Sequence, residues 1–135
     1  MREERELVFV YGALRRGAAH GWRMERGELV GNGRVGGRLF AIDWYPGVVL
    51  GGEGEVLGEV YGADERLRGE LDEFEGIGKG GERGDEYARV RVGVGMEDGS
   101  EVEAWIYVYR WGVEGREEVV SGDWVGSGMG GDGER

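Results

Sequence analysis

Apolar residues along this chain fall in short runs separated by glycine-rich turns, which predicts a protein built mainly of β-strands. The runs that read as strands cover residues 7–11, 28–30, 38–42, 48–50 and 56–61. Two further stretches, 86–94 and 101–109, alternate apolar with polar residues on either side of Glu97-Asp98-Gly99, a pattern typical of a β-hairpin. Short strands joined by such turns favour an antiparallel, barrel-like arrangement.

One segment has helical periodicity instead, and we expect the principal helix over about residues 64–75. Asp64 is a favourable N-cap, and Gly76 is suited to end the helix. Its core-facing stripe would consist of Leu67, Leu71 and Phe74, spaced at i, i+4 and i+7. The elements together predict an α+β fold, compact and mixed, around a small and mainly antiparallel β-barrel with this one principal helix.

The chain has 135 residues, the length of one ordinary domain, and we expect that domain to occupy residues 1–124. Residues 125–135 are rich in glycine with few apolar anchors, which predicts a disordered tail. The segment 18–26 has no clean period and is interpreted as a loop with one helical turn.

Composition narrows the possible partners and compartment. The formal net charge of -11 argues against a nucleic-acid surface, since phosphate binding relies on clustered Lys and Arg. No apolar run approaches the roughly 18–20 residues that a membrane span needs, so no membrane partner is expected. The absence of cysteine removes disulfides and thiolate chemistry and fits a cytoplasmic protein. The sequence leaves the oligomeric state open.

The end of the first strand is the first candidate site. Tyr11-Gly12-Ala13-Leu14 leaves the apolar run 7–11 with a glycine and a row of backbone N–H groups, which can form a nest for a carboxylate. Arg15 and Arg16 follow directly. The alternative is a purely structural turn with two solvated arginines.

Glu75 is the second candidate. It follows Leu71 by four positions and so lies at the edge of the buried stripe, whereas Glu70 and Glu73 face solvent. Burial and the negative helix C-terminus would both raise its pKa, as a general base near neutral pH requires. The alternative is a flanking glutamate that caps a loop amide or reaches out to water.

Other patterns are set aside. The stretch 31–36 matches a dinucleotide fingerprint, but residues 38–42 after it read as strand instead of helix. The stretch 78–81 lacks the Ser or Thr of a P-loop and is interpreted as a mobile connection. The single histidine, His20, cannot build a histidine metal site and is expected to pack in a loop.

Eight motifs, in order along the chain, carry a resemblance to a known family. They are Tyr11-Gly12-Ala13-Leu14-Arg15, His20, Tyr45-Pro46-Gly47, Gly58-Glu59-Val60-Tyr61, Leu71-Asp72-Glu73-Phe74-Glu75-Gly76, Tyr87-Ala88-Arg89, Ala104-Trp105-Ile106-Tyr107-Val108-Tyr109 and Ser121-Gly122-Asp123-Trp124. The chain resembles the γ-glutamylcyclotransferase-like, or AIG2-like, family from Val8 to Trp124. It looks closest to the branch with γ-glutamylaminecyclotransferases and small bacterial members.

The resemblance implies a transferase or lyase reaction that converts a small γ-glutamyl compound to 5-oxoproline and releases an amine, without cofactor or metal. It implies that Glu75 is the catalytic acid and base, and that Tyr11, Gly12, Ala13, Leu14 and Arg15 bind the substrate. Ala13 replaces the Thr or Ser that is usual in the family, so a hydroxyl contact is lost while the backbone N–H remains.

Two other functions stay open at this point. The chain could be a non-catalytic protein of the same fold that binds a small carboxylate. It could also be an adaptor in which Trp105, Trp111 and Trp124 form a partner surface, although aromatic residues at strand spacing more often belong to a core.

Overall fold

A computed structural model describes residues 5–127 of the chain, and β-strand is the predominant secondary structure in that range. The strands are β1 (Arg5–Val10), β2 (Glu28–Ala41), β3 (Pro46–Asp64), β4 (Tyr87–Met96), β5 (Glu101–Tyr109) and β6 (Glu117–Glu118). The helices are α1 (Glu65–Phe74) and the short α2 (Trp124–Ser127), and single 3₁₀ turns cover Gly21–Met24 and Gly81–Arg83.

Five of these strands close into a barrel. Their order is β3, β1, β5, β4 and β2, and β2 then pairs with β3 to complete the ring. Every neighbouring pair is antiparallel except β1 with β5, which run parallel and pair at Val8 and Trp105. The predicted α+β fold, a small and mainly antiparallel barrel with one main helix, is therefore confirmed.

Two long strands replace four predicted short ones. Runs 28–30 and 38–42 join into β2, and runs 48–50 and 56–61 join into β3, because the glycines between them continue the strand. The β2–β3 ladder shifts register between Gly36 and Gly37, opposite residues 51–54 of β3, which have no partner in β2. Gly33 allows close approach, since a Cβ there would lie 2.6 Å from the Val94 Cγ1 atom.

Helix α1 has the bounds that its capping residues set. The Asp64 carboxylate accepts a hydrogen bond from the Leu67 N–H at 2.8 Å, which makes it the predicted N-cap. Leu67 and Leu71 are each 1% exposed and hold the helix against the barrel. The helix ends at Glu75, its C-cap, and Gly76 follows with φ of 75°.

Alternate residues of β1 enter two different cores. Phe9 and Tyr11 lie in a core that takes apolar side chains from all five barrel strands. Val8 and Val10 point the other way and pack with the apolar face of α1. The strand is thus covered on both sides, which explains its almost uninterrupted apolar sequence.

The three tryptophans proposed as a partner surface do not share one. Trp124 is 2% exposed and belongs to the five-strand core. Trp105 and Trp111 are half-buried and pack against the other core. Their separation between two cores leaves the adaptor function without its proposed surface.

Two segments differ in detail from expectation. The connection after α1 is anchored, because the Asp85 carboxylate accepts the Gly78 and Gly80 N–H groups at 2.6 and 3.0 Å. The predicted tail begins inside α2, which extends to Ser127, and the rest of that prediction lies outside the described residues. Between residues 5 and 127, no helix has the length and apolarity to cross a membrane.

Candidate active site

The first strand ends in a tight loop that lines a cavity. After Val10 the chain turns through residues 11–14, and the Arg15 N–H donates to the Gly12 carbonyl at 3.0 Å. Gly12 lies against Pro46, where a Cβ atom would approach the proline Cγ to 2.5 Å. Because the proline ring is rigid and buried, this position requires glycine.

Three backbone donors of this loop have no acceptor. Within residues 5–127, the N–H groups of Gly12, Ala13 and Leu14 donate no hydrogen bond, although all three residues are buried. Buried N–H groups are almost always paired in native proteins. These residues border the cavity, and a row of successive unpaired N–H groups suits a carboxylate or an oxyanion.

A buried ion-pair network holds the loop in place. Glu59 on β3 is 3% exposed and accepts the Arg15 Nε–H and the Arg16 N–H, both at 3.0 Å. The Arg15 Nη1 also donates to the Asp123 carboxylate at 2.7 Å. Arg15, predicted to contact the substrate, is not among the residues that line the cavity, and its guanidinium pairs with Glu59 and Asp123.

Sequence reasoning missed the role of Glu59. A sequence signal was present, since Glu59 lies between Leu57 and Tyr61 on one face of an apolar strand, where a carboxylate needs a charged partner. Nothing in the sequence identified Arg15 as that partner, because 44 residues separate the two.

Glu75 lies at the end of α1 and lines the same cavity as residues 11–14. Within the described range its carboxylate has no hydrogen bond and no ion pair. Burial, followed by the carboxylates of Glu86 and Asp72, raises the pKa of Glu75 to about 8. Glu75 also affects the loop. Burial is the main cause that raises the pKa of Tyr11, and the negative charge of Glu75 is the second.

The cavity has a volume of about 170 Å³, and half of the residues in its wall are aromatic. Tyr11, Tyr87 and Tyr107 are buried, and their hydroxyls donate to the carbonyls of Tyr107 and Pro46 and to the Asp72 carboxylate, at 2.7, 2.6 and 2.6 Å respectively. These bonds fix the orientation of the three rings in the cavity wall. The volume lies below the roughly 300–1,000 Å³ of pockets that enclose drug-sized ligands, and so favours a small metabolite.

A second carboxylate, not predicted from the sequence, borders the more exposed side. Glu86 accepts a hydrogen bond from the Tyr45 hydroxyl at 2.7 Å, and Tyr45 packs edge-on against Trp44 with ring centroids 5.0 Å apart. All three residues line the cavity. His20 packs in its loop as expected, against Trp44 and Phe74 at 5.2 and 4.9 Å.

The structure thus brings together five of the six predicted site residues: Tyr11, Gly12, Ala13, Leu14 and Glu75. They come from a strand exit and a helix end about 60 residues apart in sequence. A row of free N–H groups and a carboxyl with a raised pKa share one small cavity. This combination can bind an anion at one point and move a proton at another.

Comparison with known proteins gives a consistent result. The family model described as "Gamma-glutamyl cyclotransferase, AIG2-like" matches residues 8–126. The γ-glutamylcyclotransferase family protein YtfP of Escherichia coli K12 is 37% identical over 119 residues, 87% of this chain and 95% of that protein.

Two solved structures share the fold. YkqA of Bacillus subtilis has a TM-score of 0.71 at 31% identity; the match covers 89% of this chain but 39% of YkqA. An AIG2-like protein of Mus musculus has a TM-score of 0.65 at 27% identity, and the match covers 78% and 77% of the two chains.

Proposed function

The chain belongs to the γ-glutamylcyclotransferase, AIG2-like family, and we propose that it cyclises a γ-glutamyl compound to 5-oxoproline with release of an amine. Glu75 is the general acid and base in this proposal. The observation that supports it is the shared cavity, which is lined both by Glu75 and by Gly12, Ala13 and Leu14, whose N–H groups are unpaired.

The reaction needs one proton carrier. Glu75 accepts a proton from the α-ammonium of the substrate, and the free amine then attacks the γ-carbonyl carbon. The new C–N bond closes the five-membered ring, and Glu75 returns its proton to the leaving nitrogen as the old C–N bond breaks. The ring nitrogen then gives up its second proton through Glu75 to the released amine, which leaves as an ammonium. A carboxyl with a pKa of about 8 is suited to both transfers near neutral pH.

The N–H groups of the loop provide the electrostatic stabilisation of the substrate and of the developing charge. They can hold the α-carboxylate, which fixes the bent glutamyl group, or stabilise the oxyanion that develops on the γ-carbonyl. Their backbone positions are set by Pro46 and by the Arg15–Glu59 pair, so little reorganisation is needed when substrate enters. Replacement of the usual hydroxyl residue by Ala13 leaves its N–H donor in place.

A small rigid cavity suits this chemistry because nucleophile and electrophile belong to the same molecule. The protein has only to hold the substrate in its folded conformation and exclude water. Effective molarities on the order of 10⁵ M or higher are known for well-oriented internal reactions. Tyrosine rings fixed by hydrogen bonds provide such a template.

The test is release of 5-oxoproline from a panel of γ-glutamyl amines, γ-glutamyl dipeptides and glutathione, followed by chromatography. The wild-type protein should release it from at least one compound. Glu75→Gln should lower kcat by about 10²–10⁴-fold, the usual contribution of a general acid–base group. Glu73→Gln is the matched control, since Glu73 lies two residues away, is exposed and pairs with Lys79.

Equal activity of the wild type and Glu75→Gln would show that Glu75 is not the proton carrier. Ala13 supports a second function, a carboxylate-binding protein without turnover, because the position lacks the usual hydroxyl. That function requires saturable binding of 5-oxoproline or a γ-glutamyl compound together with no product from any member of the panel.

A further inference from the structure

The tyrosines of the cavity wall give no hydrogen bond to Glu75. The hydroxyls of Tyr11, Tyr87 and Tyr107 each carry one hydrogen, and each donates it to a different acceptor. A carboxylate that receives no hydrogen bond holds its proton more firmly, and negative charges nearby add to this effect. The protonation of Glu75 therefore depends on its burial and on the charges around it.

The titratable groups around this acid come from every element packed against it. The loop after β1 contributes Tyr11, β5 contributes Tyr107, and the start of β4 contributes Tyr87 with Glu86 just before it. The tyrosines are uncharged at neutral pH, because burial raises their pKa. The charged groups are Glu86 and, on α1 itself, Asp72. Within residues 5–127 no cation pairs with Glu86, whereas Asp72 has one.

Two residues that face each other in the β4–β5 ladder hold Asp72 in place. Arg89 and Tyr107 are direct partners in that ladder, so their side chains project from the same face of the sheet. The Tyr107 hydroxyl donates to the Asp72 Oδ1 atom at 2.6 Å, and the Arg89 Nη1 atom donates to Oδ2. Tyr107 lines the cavity and Arg89 does not. The carboxylate is thus fixed between the cavity wall and a cation outside it.

Arg89 has a close counterpart on the same strand. Its guanidinium stacks on the Trp105 ring at 4.9 Å, and Arg91, two residues further along β4, stacks on the same ring at 4.8 Å. Arg91 pairs with the exposed Glu103 at 3.0 Å. The two arginines therefore share a strand face and an aromatic neighbour, and they differ in the carboxylate that each one neutralises.

We propose that Asp72 and Arg89 together control the proton affinity of Glu75, with opposite effects. Asp72 is a positioning residue three places before Glu75 on α1, and its negative charge opposes ionisation of the acid. Arg89 offsets part of that charge and so keeps the proton of Glu75 exchangeable near neutral pH. The inference rests on the proposed function and adds two residues that act on the reaction without contacting the substrate.

Removing the two charges one at a time in the full-length protein tests this. Asp72→Asn removes the negative charge but keeps an oxygen that can accept the Tyr107 hydroxyl, whereas Arg89→Gln removes the positive charge. The pH at which kcat/KM reaches half of its plateau should fall by about half a unit or more in Asp72→Asn and should rise in Arg89→Gln. Damage to the fold would lower activity in both variants without moving their midpoints in opposite directions.

Three matched variants serve as controls. Arg89→Lys keeps the positive charge and should keep the wild-type midpoint. Arg91→Gln removes an arginine from the same strand face, and Glu73→Gln removes the exposed carboxylate next to Asp72; neither should move the midpoint. If Asp72→Asn does not fold, the comparison of Arg89→Gln with Arg89→Lys decides the matter.

The protonation of Glu75 can also be followed without turnover. Carbon-13 NMR of protein with labelled glutamate carboxyls, with Glu75→Gln to assign the signal, measures its pKa in each variant. Shifts of Asp72→Asn and Arg89→Gln in the same direction, or an effect of Arg89→Gln no larger than that of Arg91→Gln, would overturn the inference and leave the proposed function intact. If no γ-glutamyl compound is turned over, the proposed function fails, and the NMR titration decides the role of the ion pair by itself.

Discussion

Replacing Glu75 with glutamine should change how folding stability depends on pH. Burial, followed by the carboxylates of Glu86 and Asp72, raises the pKa of Glu75 from 4.5 to about 8 in the folded protein. In the unfolded chain the same carboxyl is hydrated and titrates near 4.5. Between these two pH values the folded state keeps a proton that the unfolded state has already released.

The sign and size of the effect follow from linkage. Below pH 4.5 the carboxyl is protonated in both states and adds no pH dependence. From there to pH 8 the free energy of unfolding falls by about 1.4 kcal/mol per pH unit, about 5 kcal/mol in all, because the unfolded state binds fewer protons. Above pH 8 the carboxyl is ionised in both states, and the free energy of unfolding falls no further because of this group. Glu75→Gln has no proton to lose.

Urea denaturation between about pH 5 and pH 9 measures this difference. The stability of Glu75→Gln relative to the wild type should rise by several kcal/mol across the range. Glu73→Gln, on the exposed side of the same helix, should show no comparable trend. A constant difference between wild type and Glu75→Gln would mean that the carboxyl is hydrated in the folded protein, and the reasoning about its basicity would be refuted.

Three further outcomes are expected. Arg15→Ala leaves the buried Glu59 carboxylate without its cation and should lower the free energy of unfolding by about 3 kcal/mol or more. A loss near zero would mean that the pair is effectively solvated. Gly12→Ala forces a Cβ atom against Pro46 and should lower the free energy of unfolding by about 1–3 kcal/mol and also lower kcat. Gly36→Ala is the control, because its Cβ meets open space and activity should stay at the wild-type level. Similar behaviour of the two variants would contradict the importance of the contact with Pro46. With the best substrate, kcat/KM should rise with pH and level off above about 8, since the acid at the helix end must be ionised to accept a proton; a flat profile from pH 6 to 9.5 would contradict its role.

Local signals in the sequence predicted the local elements. The capping aspartate and the apolar stripe of residues 64–75 defined α1 to within one residue at each end. The alternation around Glu97-Asp98-Gly99 likewise predicted the β4–β5 hairpin, in which Gly99 takes a φ of 90°. In both cases the residues that specify the structure are neighbours in the chain.

The glycines misled where their role depends on distant contacts. Gly31, Gly33, Gly36 and Gly37 resemble turns in sequence, yet they continue β2. A glycine in a turn and a glycine that lets strands approach closely are identical in the sequence, and only the packed barrel distinguishes them.

In the candidate site, too, features set by neighbouring residues could be predicted, and contacts between distant residues could not. The spacing of Glu75 from Leu71 was sufficient to place it at the edge of the buried stripe. The Arg15–Glu59 pair and the position of Glu86 beside Tyr45 connect residues 41–44 positions apart, and no periodic pattern encodes such contacts. Resemblance to a family pointed to the loop of residues 11–14 and to Glu75, but not to Glu59 or Glu86 as parts of the site.

A crystal structure with bound 5-oxoproline tests most directly whether the acid and the loop form one active site. The account predicts the product in the cavity, with its carboxylate or lactam oxygen accepting hydrogen bonds from the N–H groups of residues 12–14 at about 2.9 Å and its ring nitrogen next to the Glu75 carboxyl. Binding elsewhere, or in the cavity without contact to either group, would contradict it.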